Sequence, residues 1–316
     1  MRKIIVAVLA MLCLLTACSQ PEATPRDNVG KITYAGVCLA DGENAPYRQQ
    51  LEKELLRLGY YVNFIDAKGD QSVQHEQITG LIEAQYDVLV VEPVMTAATD
   101  VILTRLKTAN IPVVLLGKEQ AEDVLSLWQQ ACYVGFDQSQ PGLVQGQIIL
   151  NTDNRGDING DGQVTYAILA GPEGNIYTGL HIENCTVPLQ EAGIQLQLLD
   201  VVYGDHTQER SKALTEGLLS RFGRDIEVLF CGSDAMAMGA LEALKQSGRT
   251  VNQDIYVVGI GGEAEVLSDV SQGLLTGTAM ADHNTLAQQA AQAASLLLQK
   301  SADKIYMVDY VLKETP

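Results

Sequence analysis

From Thr33 onward, short apolar runs alternate with longer segments of helical period. Thr33 to Leu39, Tyr61 to Ile65, Asp87 to Val91 and Pro112 to Leu116 are predominantly apolar, the pattern of strands covered on both faces. Between the first two runs, Tyr47, Leu51, Leu55 and Leu58 recur at intervals of four, four and three. That spacing predicts one stripe of a helix over 47–58, and Gly59 ends it. The alternation resumes with Gln163 to Leu169, Ile194 to Val202, Glu227 to Cys231, Ile255 to Ile260 and Thr278 to Met280. Strands separated by helices are parallel, because only a long crossover joins parallel neighbours. The predicted class is α/β. The texture changes at Gly117 to Asp123 and again at the polar, Gly-rich stretch Asn151 to Gly162. Two smaller doubly wound sheets account for these breaks better than one closed barrel, and they place a ligand crevice at the carboxyl ends of their strands.

The 316 residues allow two domains, at roughly 150 residues each. With 47% hydrophobic and 19% charged residues, the chain is neither disordered nor collagen-like. The net charge of −18 opposes a phosphate-binding surface, so nucleic acid is not an expected partner. Arg2 and Lys3 precede the apolar run Ile4 to Leu15, the layout of a secretory signal and too short for a membrane span. Leu15-Thr16-Ala17-Cys18 resembles the lipobox of bacterial lipoproteins. That resemblance implies a signal peptide at 1–17, Cys18 as the lipid anchor, a tether over 18–30, and an extracytoplasmic, membrane-anchored protein at the cell surface or in the periplasm. Cys38, Cys132, Cys185 and Cys231 match no metal-binding spacing and read as buried thiols.

One local motif carries metal chemistry. Asp157-Ile158-Asn159-Gly160-Asp161-Gly162-Gln163-Val164-Thr165 has the spacing of a calcium loop, with oxygens from Asp157, Asn159, Asp161, the Gln163 carbonyl and Thr165, and Gly162 at the sharp turn. Hard oxygen donors without thiol or imidazole favour calcium. The twelfth position, which would supply a bidentate Glu, is Ile168, so a complete site needs a carboxylate from elsewhere. Other chemistry is missing. Gly259-Ile260-Gly261-Gly262 is not a dinucleotide fingerprint, there is no Walker loop or G-x-S-x-G elbow, and His75, His181, His206 and His283 have no metal spacing. No nucleophile–base–orienter set is present, so an enzyme is not expected.

The order of motifs resembles the bacterial periplasmic solute-binding proteins, in particular the galactose/glucose-binding group, from about Lys31 to the C-terminus. The resemblance rests on Ala131-Cys132-Tyr133-Val134-Gly135, the loop 157–163, Gly171-Pro172-Glu173-Gly174, Ser233-Asp234-Ala235-Met236-Ala237-Met238-Gly239-Ala240 and Gly277-Thr278. It implies a type I periplasmic binding protein fold of two doubly wound parallel-sheet lobes with a hinge. One lobe would hold 31–115 plus 282–302 and the other 116–281 plus 303–316. It also implies that Glu227 closes a structural calcium site, and that the protein is a monomer delivering a solute to ABC permease subunits or, alternatively, signalling to a membrane sensor.

The resemblance fails at the sugar site. Tyr47 stands where the family has a stacking aromatic, Glu43 and Asn44 are candidate polar contacts on the same loop, and Glu92 replaces an Asn. Asn175, Tyr177 and His181 replace a His, Asp and Arg, and the stacking Trp corresponds to Tyr203 or Gly204. Ser233, Gly261 and Ala281 stand for an Asn, an Asp and an Asn. An unpaired hydroxyl in a closed cleft costs about 1–3 kcal/mol. The expected ligand is therefore a small carbohydrate or related polar solute other than glucose or galactose; a nucleoside, or an amine drawn by Glu92, Glu43 and Glu263, is the alternative. Asp234 reads as a helix N-cap, and Met236 and Met238 as core filling.

Overall fold

The computed structural model describes residues 32–117 and 119–315. The expected signal peptide, Cys18 and the tether lie outside them. Strands and helices alternate as β1 (Thr33–Leu39), α1 (Arg48–Arg57), β2 (Tyr60–Asp66), α2 (Gln71–Glu83), β3 (Val88–Val91), α3 (Thr99–Ala109), β4 (Val113–Leu116), the single turn α4 (Glu122–Leu125) and β5 (Ala131–Phe136). A second series follows: α5 (Gln140–Asn151), β6 (Gln163–Ala170), α6 (Ile176–Asn184), α7 (Val187–Glu191), β7 (Gln195–Tyr203), α8 (Gln208–Phe222), β8 (Val228–Cys231), α9 (Asp234–Gln246), β9 (Tyr256–Gly261), α10 (Ala264–Ser271) and β10 (Gly277–Ala281). The chain closes with α11 (His283–Leu298), β11 (Ile305–Val308) and β12 (Tyr310–Glu314).

The strands form two six-stranded sheets, in the orders β11-β5-β4-β3-β1-β2 and β12-β10-β9-β8-β6-β7. Every pairing is parallel except that of β10 with β12. Each sheet starts in its interior and grows both ways, which creates a switch point between β1 and β3 and another between β6 and β8. Two doubly wound α/β lobes result.

Alternation along the strands explains the unbroken apolar runs. In β1, Ala35, Val37 and Leu39 enter a core with Leu51 and Leu55 of α1 and Leu286 and Ala290 of α11. Cys38, between them, enters the opposite core with Ile78 of α2 and Ile102 and Leu106 of α3. The second lobe repeats this: Ala167, Leu169 and Leu229 pack with α9, while Ile168, Val228 and Phe230 pack with Ile148 and Ile149 of α5. The four described cysteines are buried free thiols, and burial pushes those of Cys38, Cys132 and Cys185 up to about 12. Among the described residues no helix is long and apolar enough to cross a membrane.

Two lobe boundaries differ from the expected ones. The first crossing follows Phe136 and not residue 115, because β5, with all six residues buried, joins the first sheet beside β4. Its crossover contains only α4, too short to show a helical period. The last crossing lies at Asp309 and not after 302. The segment 303–316, expected wholly in the second lobe, is divided: β11 pairs with β5 in the first sheet, and β12 with β10 in the second. Between them, β10 ends at Ala281 and α11 begins at His283. The outer two crossings are tied together. Asp137 N–H donates to the Val308 carbonyl (3.2 Å), and the Gln140 side chain donates to Asp309 Oδ1 (2.6 Å) while accepting from Tyr310 N–H (2.9 Å).

Candidate functional site

A cavity of about 210 Å3 opens at the carboxyl ends of the second sheet's strands. Gly171, Tyr177, Thr178 and His181 follow β6, His206 follows β7, Gly232 follows β8, and Ile260 lies near the end of β9. Gln138 and Tyr310 reach it from two of the lobe crossings. It therefore sits over the β6/β8 switch point, where a doubly wound sheet leaves a crevice. A larger groove of about 550 Å3 between α1 and α11 lies in a helix layer, away from the strand ends, and has none of this construction.

Gly171 packs closely against its neighbours. A Cβ there would come within 2.8 Å of both the His206 ring and Thr178 Oγ1. His206 itself is held at φ 64°, a left-handed conformation that His adopts more readily than most side chains. His181 is 6% exposed. Its Nε2 lies 2.8 Å from Gln145 Oε1, and its Nδ1 has no hydrogen-bond partner among the described residues. Burial, with His206 nearby, lowers its pKa to about 4.

From Tyr310, at the start of β12, a row of rings runs into the first lobe's core. Tyr310 contacts Phe136 (centroids 5.2 Å), Phe136 contacts His283 edge-on (5.4 Å), and His283 faces Tyr47 (6.3 Å). Burial and the neighbouring Glu92 carboxylate hold the Tyr47 hydroxyl far above the usual phenol pKa. Tyr177, on α6 and partly exposed, has its pKa raised by partial burial and by the charge of Glu119.

The expected ligand residues separate into three groups. Asn175, Tyr177 and His181 line the cavity. Asn175 and Ser233 stand at its helix termini, but their side chains are engaged as N-caps: Asn175 Oδ1 accepts from Tyr177 and Thr178 N–H, and Ser233 Oγ accepts from Met236 N–H. The remaining five lie elsewhere. Glu43 and Asn44 are exposed on the loop after β1, with Asn44 donating to Asp41. Tyr47 is buried in the first core, and Glu92 Oε2 accepts from Ala40 N–H. Tyr203, at the end of β7, is exposed and is not part of the cavity wall. Asp234 is not the cap expected of it. Ser233 takes that position, and the buried Asp234 carboxylate instead accepts from Gly262 N–H (2.6 Å), Glu263 N–H and Thr278 Oγ1 (2.7 Å), tying the ends of β8, β9 and β10 together. Burial raises its pKa. Sequence reasoning missed Gln138, Tyr310, His206 and Gln145. Of these, only Gln145 left a trace, as the one polar side chain on the buried face of α5.

The loop 157–165 lies at the opposite end of the sheet, where β6 begins. Eight residues of β6 at roughly 3.3 Å each put it about 25 Å from the cavity. Glu227, 2% exposed, precedes the neighbouring strand β8 and gives both oxygens to the loop: Oε1 accepts from Ile158 and Asn159 N–H, Oε2 from Thr165 N–H and Oγ1. Asp157 accepts from Gly160 and Gly162 N–H, Asn159 from Asp161 N–H and Asp161 from Gln163 N–H. The donor set is all oxygen, as a calcium ion requires. Among the described residues no group of three or more His, Cys, Asp or Glu side chains is gathered as a metal site.

Residues 36–302 match the model of the periplasmic binding protein domain. The chain is 29% identical over 279 residues to a D-galactose/methyl-galactoside binding periplasmic protein of Haemophilus influenzae, covering 84% of this chain and 83% of that one. It is 26% identical to the ribose import binding protein of Bacillus subtilis, covering 94% of each. In structure it resembles an ABC transporter solute binding protein from Actinobacillus succinogenes with bound D-allose, with a TM-score of 0.72 at 18% identity, covering 89% of this chain and 97% of that one.

Proposed function

The chain belongs to the periplasmic binding protein domain family, and from that membership we propose that it captures a small carbohydrate or related polar solute between its lobes, outside the cytoplasm, and delivers it to the permease of an ABC importer. The observation that carries this reading is the cavity over the β6/β8 switch point, walled in part by Gln138 and Tyr310 from the lobe crossings. A solute seated there touches the segments that must bend for the lobes to move. Its 210 Å3 is below the ~300–1,000 Å3 of drug-sized ligands and suits a molecule of monosaccharide size. The relatives named for galactose and ribose support the solute class. The replaced contact residues favour a ligand other than glucose or galactose.

A thermal-shift screen over sugars, polyols, nucleosides and amines, followed by calorimetry, tests the reading. One sugar or polyol should raise the melting temperature by several degrees at about 100 times its Kd, where binding adds about 2.7 kcal/mol. Micromolar binding of glucose or galactose would overturn the altered specificity, and turnover of the solute would overturn a binding role.

Two attributes belong to the same proposal. Cys18 carries the lipid anchor, supported by the order of charge, apolar run and small residues before it; a Cys18→Ser protein should leave the membrane fraction. The loop 157–165 with Glu227 binds a structural calcium ion, supported by its oxygen donor set. Native mass spectrometry should show a species heavier by the mass of one calcium that chelation removes.

A further inference from the structure

All strands of the first sheet run parallel, so their starts share one end of the lobe. That end lies opposite the carboxyl edge, where Phe136 closes β5 and touches Tyr310 of the cavity wall. The chain enters it at Thr33 of β1. We propose that this end of the first lobe rests on a zwitterionic lipid bilayer through Tyr34, Tyr61 and Tyr86, with the carboxyl edge turned away from the membrane. The proposal rests on the reading of Cys18 as a lipid anchor.

Strand register gathers the three rings. Tyr34 pairs directly with Tyr61 across β1 and β2, and both side chains fall on the face that Cys38 and Ile65 occupy further along the same strands. Asp87 donates its N–H to the Tyr34 carbonyl (2.9 Å) and accepts from Tyr34 N–H through Oδ2 (2.9 Å), which sets the preceding Tyr86 beside Tyr34. The ring centroids lie 5.3 Å apart for Tyr34 and Tyr61, and 6.1 Å apart for Tyr34 and Tyr86. Further along this face α2 covers the sheet: a Cβ on Gly36 would meet the Leu81 side chain at 3.0 Å, and Cys38 is fully buried. Toward the strand starts that cover ends. Tyr34 is 41% and Tyr61 56% exposed, so a strand face that is elsewhere covered is here aromatic and bare.

An apolar ring with a hydroxyl at its tip suits the boundary between lipid headgroups and acyl chains. A second copy fits less well, because it sets one net charge of −18 against another. The charges flanking the rings decide which lipid. Arg57 is paired with Glu54 at 2.8 Å, which leaves Glu83 and Asp87 as a small negative surplus, so a zwitterionic surface fits better than an anionic one. Fifteen residues separate Cys18 from Thr33, at most about 50 Å of extended chain. An anchor at Cys18 therefore holds this end of the lobe at an effective concentration where a weak contact suffices. Docked this way, the strand ends face arriving solute, and delivery requires the lobe to lift and turn.

The test uses the full chain as Cys13→Ser, with Cys18 coupled to a maleimide lipid in phosphatidylcholine vesicles; Cys38, Cys132, Cys185 and Cys231 are buried. Trp128 is the single tryptophan, so Trp128→Phe clears the background for one reporter at a time. Tyr61→Trp reports from the rings, and Met95→Trp from an exposed position after β3 at the carboxyl edge. Brominated lipid should quench Tyr61→Trp at least about twofold more than Met95→Trp. With Trp128 kept, energy transfer to a dansyl-labelled lipid should fall when Tyr34 and Tyr61 are both replaced by Ser; if that variant does not fold, Tyr61→Ser alone is read. Exchanging about a quarter of the lipid for phosphatidylglycerol should weaken the quenching contrast at low salt. Equal quenching of the two reporters, unchanged transfer in the serine variants, or a stronger contrast on the anionic vesicles would overturn the proposal. So would shielding of Tyr61→Trp that grows with protein concentration without lipid, which assigns the rings to a second copy. The anchor reading fails separately, if the chain recovered from membranes carries no lipid on Cys18, because coupling supplies the lipid here.

Discussion

At the scale of single residues, burial sets the response to acid. His181 and His283 both have lowered pKa values because their charged forms are desolvated, to about 4 for His181. The unfolded chain takes up protons on these rings near pH 6.5, whereas the folded protein does so only at lower pH. Their contribution to stability is therefore complete above about pH 6.5 and declines as pH falls toward 4. Asp66 and Asp282, whose pKa values are lowered, lose their contribution below that window, and buried Asp234, raised by desolvation, opposes the trend by taking a proton early. The urea midpoint should fall from pH 7 to pH 5, and His181→Phe should flatten that slope; an unchanged slope would mean the ring titrates normally. Glu227 makes a second residue-level case. In Glu227→Gln one of the two acceptor oxygens becomes an N–H2 facing backbone donors, so stability should drop by about 1–3 kcal/mol with calcium removed. If the loop binds calcium, the loss should be larger with the ion present, because the wild type alone gains from it.

At the scale of elements, the helices that meet most closely do so at a glycine. A Cβ on Gly239 of α9 would lie 2.9 Å from Lys212 N and closer still to the Gln208 carbonyl of α8, both backbone atoms that cannot turn aside. Gly239→Ala should therefore cost about 1–3 kcal/mol by forcing α8 and α9 apart, although alanine is the better helix former; a stabilised variant would show that the pair has slack. This is the physical content of the Asp-Ala-Met-Ala-Met-Gly run, whose Met236 is fully buried and whose Asp234 ties three strand ends. Most strands were legible because helices cover both faces, which leaves apolar runs bounded by polar loops. β5, β11 and β12 were not. The first follows a crossover with no helical period, and the other two are edge strands of partial burial separated by one residue, so neither apolar alternation nor a turn signal divides them.

For the whole molecule, the chain order placed the site at the strand ends but did not identify its contacts. Asn175 and Ser233 show why: helix caps and ligand contacts use the same small polar residues at the same place, where a strand gives way to a helix at the carboxyl edge of a sheet. The residues that join the lobes were hidden for another reason, since Gln138, Gln140 and Tyr310 meet only when distant crossings are brought together. Gln140 links α5 to the last crossing through Asp309 Oδ1 and Tyr310 N–H, and its amide also reaches Asp137 Oδ2 at 3.3 Å. Bending that separates the lobes must work against these bonds. Replacing Gln140 by Leu removes them while keeping the volume, which should lower the melting temperature by a few degrees, at about 1 kcal/mol per bond lost. The Tyr310 amide should exchange faster with solvent, and small-angle scattering should give a larger radius of gyration for the free protein than for wild type, with the ligand-bound values closer together. A free protein of unchanged radius and an equally protected Tyr310 amide would show that the crossings are held by the sheets on either side and that Gln140 does not restrain their bending.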